Sequence, residues 1–385
     1  MLRRIALAAA PILLFVLGTM PAAAKTTTAL RVETSNRPYA VFGSDGREHT
    51  EYDLVLTNAF TGEATLGAVS VRADGKPALT LAGDGLVAAT HTLFTADPTA
   101  TIAPASTAFT QVDLFQPRSA GRTAPKRITN RVAYAIPADA PSRSVIGSTV
   151  SASPVLRTDP RPPVVISAPL NGTGWASVNG CCDDPSSPHR QTLIASDGDW
   201  VTPELFAVDW IREVDGRFYS GDGTRNTDWV GFGEPIHAVA DGTVVLAVDG
   251  MPDIPPMTKN ADLRTPRDYA GNNVIVAIGH GRYAVFDHLL RGSVRVRRGQ
   301  RVRAGQVIGK LGNTGNTDGP HLHFGIEARP DSLAQGLPFE IDDFVLEHTA
   351  TAASPGQVSL TGSPKRLHRA HPLIRSVATL TPATP

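Results

Sequence analysis

Turns cut this chain into short pieces, and that punctuation limits its fold more than any other feature. Ser44-Asp45-Gly46, Asp74-Gly75, Asp84-Gly85, Ala240-Asp241-Gly242 and His280-Gly281-Arg282 each favour a chain reversal. With 35 glycines and 31 prolines in 385 residues, no stretch sustains a long helical period. Between the turns the sequence alternates with a period of two. Leu54 and Leu56 share one face of a predicted strand and Asp53 and Val55 the other, and Val69 and Val71 flank Ser70. The chain therefore reads as all-β.

The length suits two domains with separate cores. Residues 1–24 read as a signal peptide. Arg3 and Arg4 form the charged start, Ile5 to Met20 an apolar stretch broken by Pro11 and Gly18, and Ala22-Ala23-Ala24 a small-residue cleavage site. The mature chain is expected to start at Lys25 and to be exported, to the periplasm or the outside of the cell. No later stretch is apolar enough for a membrane span. Residues 25–157 carry about seven predicted strands, which suggests an immunoglobulin-like β-sandwich. Thr158-Asp159-Pro160-Arg161-Pro162-Pro163 is a stiff linker. Residues 164–347 read as a second β domain. Residues 348–385 are rich in Ala, Ser, Thr and Pro, with a basic patch of Lys365, Arg366, Arg369 and Arg375, and read as a disordered tail in which His348, His368 and His371 are solvated. With 36 basic and 36 acidic residues, the balance of charge argues against a nucleic-acid partner.

The two cysteines, Cys181 and Cys182, are adjacent. Consecutive Cα atoms lie about 3.8 Å apart, shorter than the usual disulfide span. A strained vicinal disulfide, two reduced thiols, a bridge to another chain and two small buried hydrophobes all remain open.

The stretch richest in chemistry is Gly312 to Ile326, GNTGNTDGPHLHFGI. A Gly-rich loop leads into a predicted strand on which Leu322, Phe324 and Ile326 form an apolar face. His321 and His323 share the opposite face. Imidazole is the commonest metal ligand and the usual general base near neutral pH; the plainer alternative is an edge strand with two exposed histidines. A catalytic zinc site needs a third protein ligand, and a carboxylate is the natural addition. Asp209 ends the apolar run Leu205-Phe206-Ala207-Val208, and His288 ends the predicted strand Tyr283–Leu289. Taken singly, Asp209 is also a strand-end turn residue and His288 a structural histidine.

Together these residues resemble the lysostaphin-type and β-lytic zinc metallopeptidases, which are peptidoglycan endopeptidases. That family ends in G-x-T/S-G-x-S/T-x-G-P-H-L-H-F, and Gly312 to Phe324 has nearly that form. The family's Y-x-H-L strand end is similar to Phe286-Asp287-His288-Leu289. Its V-x-x-G-q-x-V-x-x-G-q-x-I-G run is similar to Val296–Gly309, and its G-x-P-I-x-A-x-x-D-G-x-V hairpin to Gly233–Val244. The resemblance covers roughly residues 165–345 and implies an antiparallel two-sheet β domain. It also implies Zn2+ as cofactor, peptidoglycan as partner and hydrolysis of stem peptides or cross-bridges by metal-activated water. His323 and Asp209 would ligate the metal, and His288 and His321 would act beside it as base or proton donor. One position departs from the pattern. The family's first motif is H-x-x-x-D, and Leu205 stands where its histidine belongs. His189, 20 residues before Asp209, is the replacement ligand that the resemblance suggests, since some members carry H-R…R-F-A-I-D-W. The departure also admits another expectation: a non-catalytic member that binds cell wall or activates a hydrolase.

Overall fold

The computed structural model describes residues 26–117, 124–182 and 184–385. The expected signal peptide lies outside the described residues. The N-terminal strands are β1 (Leu30–Thr34), β2 (Tyr39–Phe42), β3 (Arg47–Asn58), β4 (Ala64–Ala73), β5 (Lys76–Ala82), β6 (Thr90–Thr92), β7 (Thr101–Ile102), β8 (Thr107–Pro117), β9 (Ile128–Ala135) and β10 (Val150–Ala152). They form two antiparallel sheets, with the short helix α1 (Gly83–Ala89) between β5 and β6. One has the order β1-β3-β8-β6 with β2 also on β3, and the other has β10-β9-β4-β5 with β7 on β4. The alternation noted in the sequence decides which face of β3 is shared with the second sheet. Tyr52, Leu54 and Leu56 point into a common core with Val69, Val71 and Val132. His49, Glu51, Asp53 and Val55 point the other way, yet all of them are buried. A face that a free-standing two-layer domain would give to water is covered by something else.

What covers it is the C-terminal half. Its strands are β11 (Val164–Ile166), β12 (Gly172–Ser177), β13 (Ile194–Ser196), β14 (Asp199–Val201), β15 (Val208–Arg212), β16 (Pro235–His237), β17 (Gly242–Val248), β18 (Asn273–Gly279), β19 (Arg282–Asp287), β20 (Arg301–Val302), β21 (Val307–Lys310), β22 (Leu322–Glu327), β23 (Phe339–Ser354), β24 (Gln357–Thr361), β25 (Lys365–Ala370) and β26 (Ser376–Leu380). The main sheet runs β11-β23-β26-β12-β15-β22-β19-β18-β17-β20, with β24 and β25 also on β23. Two small antiparallel pairs, β13–β14 and β16–β21, sit outside it. The predicted strand Leu205–Trp210 begins later than expected, at Val208. Trp175, Phe206, Trp210, Phe286, Phe324 and Phe339 fill the core against this sheet. Tyr39 and Val41 of β2 belong to the same core, so the two halves are packed together.

Two expectations from sequence are corrected. Residues 348–385 are not a disordered tail: β23 runs on to Ser354, and β24, β25 and β26 follow. β26 lies between β23 and β12, with Val377, Ala378 and Leu380 buried. Small Ala and Thr side chains look like low complexity in sequence. In a strand hydrogen-bonded on both sides they need little bulk to hold their place. The arginines of the basic patch are paired: Arg366 meets Asp343 alongside His368, Arg369 meets Asp342, and Arg375 meets Asp184. His371 is fully buried, its Nδ1 donating to Phe339 O at 3.0 Å. The Pro-rich segment 158–163 is also held down, because Asp159 N–H donates to Pro38 O at 2.8 Å and its carboxylate accepts from Arg161. The adjacent cysteines are joined to each other in a disulfide.

Candidate metal centre

β22 sits between β15 and β19, and register alone brings the key side chains together. Asp209 of β15 lies opposite His323, and Asp287 of β19 lies opposite His323 on the other side. The next residue after β19 is His288, in the left-handed region at φ 65°, where the chain leaves the sheet; its ring centroid lies 4.6 Å from that of His321 and 6.0 Å from that of His323. Its Nδ1–H donates to Thr314 O at 2.8 Å. His321 precedes β22, and its Nδ1–H donates to Gly319 O at 2.8 Å. The Gly-rich loop seen in sequence therefore orients both flanking histidines through its carbonyls.

His189 arrives from a different direction. It lies on the one-turn helix α2 (Pro188–Gln191), where Pro188 suits the first helical position. His189 Nδ1–H donates to Ala207 O at 2.9 Å, which leaves Nε2 facing Asp209 Oδ2 at 3.2 Å. Asp209 Oδ1 accepts from His323 Nδ1 at 2.8 Å and lies 3.5 Å from His321 Nε2. Asn179 Nδ2 donates to Asp209 Oδ2 at 2.8 Å. Leu205, by contrast, is fully buried in the core and offers nothing to the site. The one residue that occupies the H-x-x-x-D position is a packing residue here.

Burial alone would raise the pKa of Asp209, but the charges of His189 and His321 and their hydrogen bonds hold it well below the usual carboxylate range. Burial works against protonation of His323, and Asp209 more than offsets it, raising the ring to about 9. The same balance raises His189. His288 goes the other way: burial, then the neighbouring His321 and His323, push it well below its usual range. His288 is thus a neutral imidazole whose Nδ1 carries the proton and whose Nε2 is a free acceptor.

Donor atoms of His189, Asp209 and His323 lie within 4.8 Å of one another and all three residues are buried. Two imidazoles and a carboxylate form the donor set of a catalytic zinc site, with a fourth position left for water or substrate. The Ala207 carbonyl on His189 and the Asn179 amide on Asp209 are the outer partners that such ligands require. His49, Glu51 and Cys182 also gather, but the Cys182 sulfur is bonded to Cys181 and supplies no thiolate. The centre opens on a groove of about 1050 Å³, whose walls include Tyr219, Trp229, Met257 and Tyr269, together with Phe94 from the N-terminal half.

Residues 226–335 match Peptidase family M23. The chain carries a Peptidase family M23 domain. The match holds His288, His321 and His323 and starts beyond His189 and Asp209. The chain is 36% identical over 97 residues to peptidoglycan DD-endopeptidase ShyA of Vibrio cholerae, covering 25% of this chain and 18% of that protein. It is 35% identical over 127 residues to a lipoprotein NlpD/LppB homolog of Pseudomonas aeruginosa, covering 32% of this chain and 36% of that one. The chain thus spans about a fifth to a third of the length of these relatives. The solved catalytic domain of lysostaphin from Staphylococcus simulans overlays at a TM-score of 0.21 and 17% identity, covering 50% of this chain and 88% of that one.

Sequence reasoning missed Asn179. Asn179 sits in a turn before the two cysteines, where asparagine is ordinary. Nothing in its spacing announces a contact with Asp209.

Proposed function

We propose that this chain is an exported, zinc-dependent endopeptidase that hydrolyses peptide bonds in peptidoglycan stem peptides or cross-bridges. The observation that carries the reading is the convergence of His189, Asp209 and His323 donors beside two further histidines at the floor of one groove. The family match and the similarity to the peptidoglycan DD-endopeptidase ShyA support the substrate class. No helix among the described residues is long and apolar enough to cross a membrane.

His189, Asp209 and His323 would hold the metal. When bound, zinc supplies a Lewis acid and water of lowered pKa at neutral pH. His288, neutral and fixed by Thr314, presents Nε2 to accept a proton at that position. His321, its Nδ1–H fixed on Gly319 O and its Nε2 3.5 Å from Asp209 Oδ1, would act beside the metal as the second catalytic histidine, as base or proton donor. Tyr219, Trp229 and Tyr269 give the groove flat apolar walls for an extended peptide.

The test is metal analysis of the mature chain, paired with digestion of purified peptidoglycan and assay of new peptide termini. The parent should hold one zinc per chain and release termini. His189→Ala should lose the metal. His288→Ala should keep it and lose hydrolysis by about 10²-fold or more. A parent with no zinc overturns the metal reading. A parent with zinc and no new termini identifies a wall-binding module in place of an enzyme.

A further inference from the structure

The buried outer face of the β3–β8 sheet needs an explanation. Register pairs Glu51 with Asp113, Asp53 with Gln111 and Val55 with Phe109, so these six residues form one continuous patch. Such a row of acids on a sandwich's outer face would ordinarily be solvated. Here Glu51 and Asp53 are completely buried, and Val55 and Phe109 nearly so.

The segment that covers them is the one that delivers His189. Arg190, the very next residue, turns into the patch with its side chain 3% exposed. A single nitrogen, Nη2, lies 3.1 Å from Glu51 Oε2 and 3.2 Å from Asp53 Oδ1. Asp113 is engaged by His49 Nδ1 at 3.0 Å and by the Glu51 side chain beside it, and the guanidinium meets Glu51 and Asp53 directly. Gln111 Nε2 donates to the Arg190 carbonyl at 2.7 Å. Three residues further on, Leu193 packs into an apolar cluster with Val55 and Phe109. The sheet therefore grips this segment by a side chain, by its backbone and by an apolar anchor, all within four residues.

Backbone hydrogen bonding within α2 is slight, because the helix is a single turn. It cannot hold His189 in place unaided. The other ligands need no such help: Asp209 and His323 are fixed by adjoining strands. We infer that the N-terminal β3–β8 sheet is a working part of the metal centre, with Arg190 as a positioning residue that sets the His189 ligand through Glu51, Asp53 and Gln111. This rests on the zinc reading above. It makes the N-terminal half a component of the site, with metal affinity depending on contacts made on the far side of α2.

The experiment uses the full mature chain. Zinc affinity is measured by competition with a chromogenic chelator, and backbone hydrogen exchange is followed over residues 186–193. Arg190→Met should weaken zinc binding by about tenfold or more and raise exchange in that segment. Arg190→Lys should recover most of the affinity, since one nitrogen makes both carboxylate contacts. Ser44→Ala, which removes a hydrogen bond to Ser376 elsewhere in the same interface, should leave affinity unchanged. If Arg190→Met does not fold, Gln111→Ala removes only the hold on the Arg190 carbonyl and should weaken zinc in the same direction. A folded variant with parental affinity, or with parental exchange over residues 186–193, overturns the positioning role while the zinc reading stands. A parent that binds no zinc overturns the zinc reading itself, and parental exchange in the variants then decides separately whether the sheet holds the segment.

Discussion

At Asp209 both carboxylate oxygens are engaged, Oδ1 by His323 and Oδ2 by His189 and Asn179. Asn179 donates to the proposed metal ligand without being one itself. Asn179→Ala should therefore weaken zinc binding by about tenfold while leaving the fold intact, checked by chelator competition beside a thermal melt. His371 offers a residue-scale test of a different kind. Burial lowers its pKa from 6.5 to about 3, so it is neutral in the folded chain. The unfolded chain takes up a proton below about 6.5, and stability contributed by the neutral ring is lost as pH falls from there towards about 3. His371→Phe should remove that dependence. Urea melts at pH 6.5 and pH 5 should show a parent-minus-variant difference of roughly 2 kcal/mol. The histidines that matter divided in sequence by their surroundings. His321 and His323 were legible from alternation beside a Gly-rich loop. His189 came only from a family resemblance, because a loop ligand leaves no periodic trace, and His371 looked solvated because its neighbours are basic.

Among the elements, β22 does most to assemble the centre, since it pairs on both sides with strands that carry site residues. Its apolar face was readable as Leu322, Phe324 and Ile326. Phe324 packs at 5.2 Å between ring centroids on both Phe286 and Phe339, and is fully buried. Phe324→Ala should destabilise the chain by about 3–5 kcal/mol in denaturant unfolding and loosen the His323 position with it. The partner strands were harder to see. β15 starts at Val208, after three buried residues that alternate no differently from a strand. Periodicity cannot separate a buried approach from the strand itself.

For the whole molecule, the all-β class followed from turn density and alternation, whereas the packing of one half on the other did not. Polar residues such as Glu51 and Asp53 mark a solvent face by their chemistry, and only the arrival of Arg190 reverses that meaning. The C-terminal segment misled for the opposite reason, since its small side chains hide a strand in the middle of a sheet. A chain ending at His348 lacks β24, β25 and β26 and exposes facing edges of β12 and β23. It should be insoluble or lack a cooperative melt, where removal of a loose tail would leave the melting temperature unchanged.

The position of β26 also sets an order of events. Both of its neighbours, β12 and β23, are synthesised before it, and it must enter between them. Until it does, the strand bearing Asp209 rests on a sheet with a gap one strand away. A prematurely stopped chain can contain every proposed ligand and both flanking histidines and still have no finished platform for them. The hydrolysis proposed for this centre therefore depends on a strand that follows every one of its residues in sequence, through Leu380.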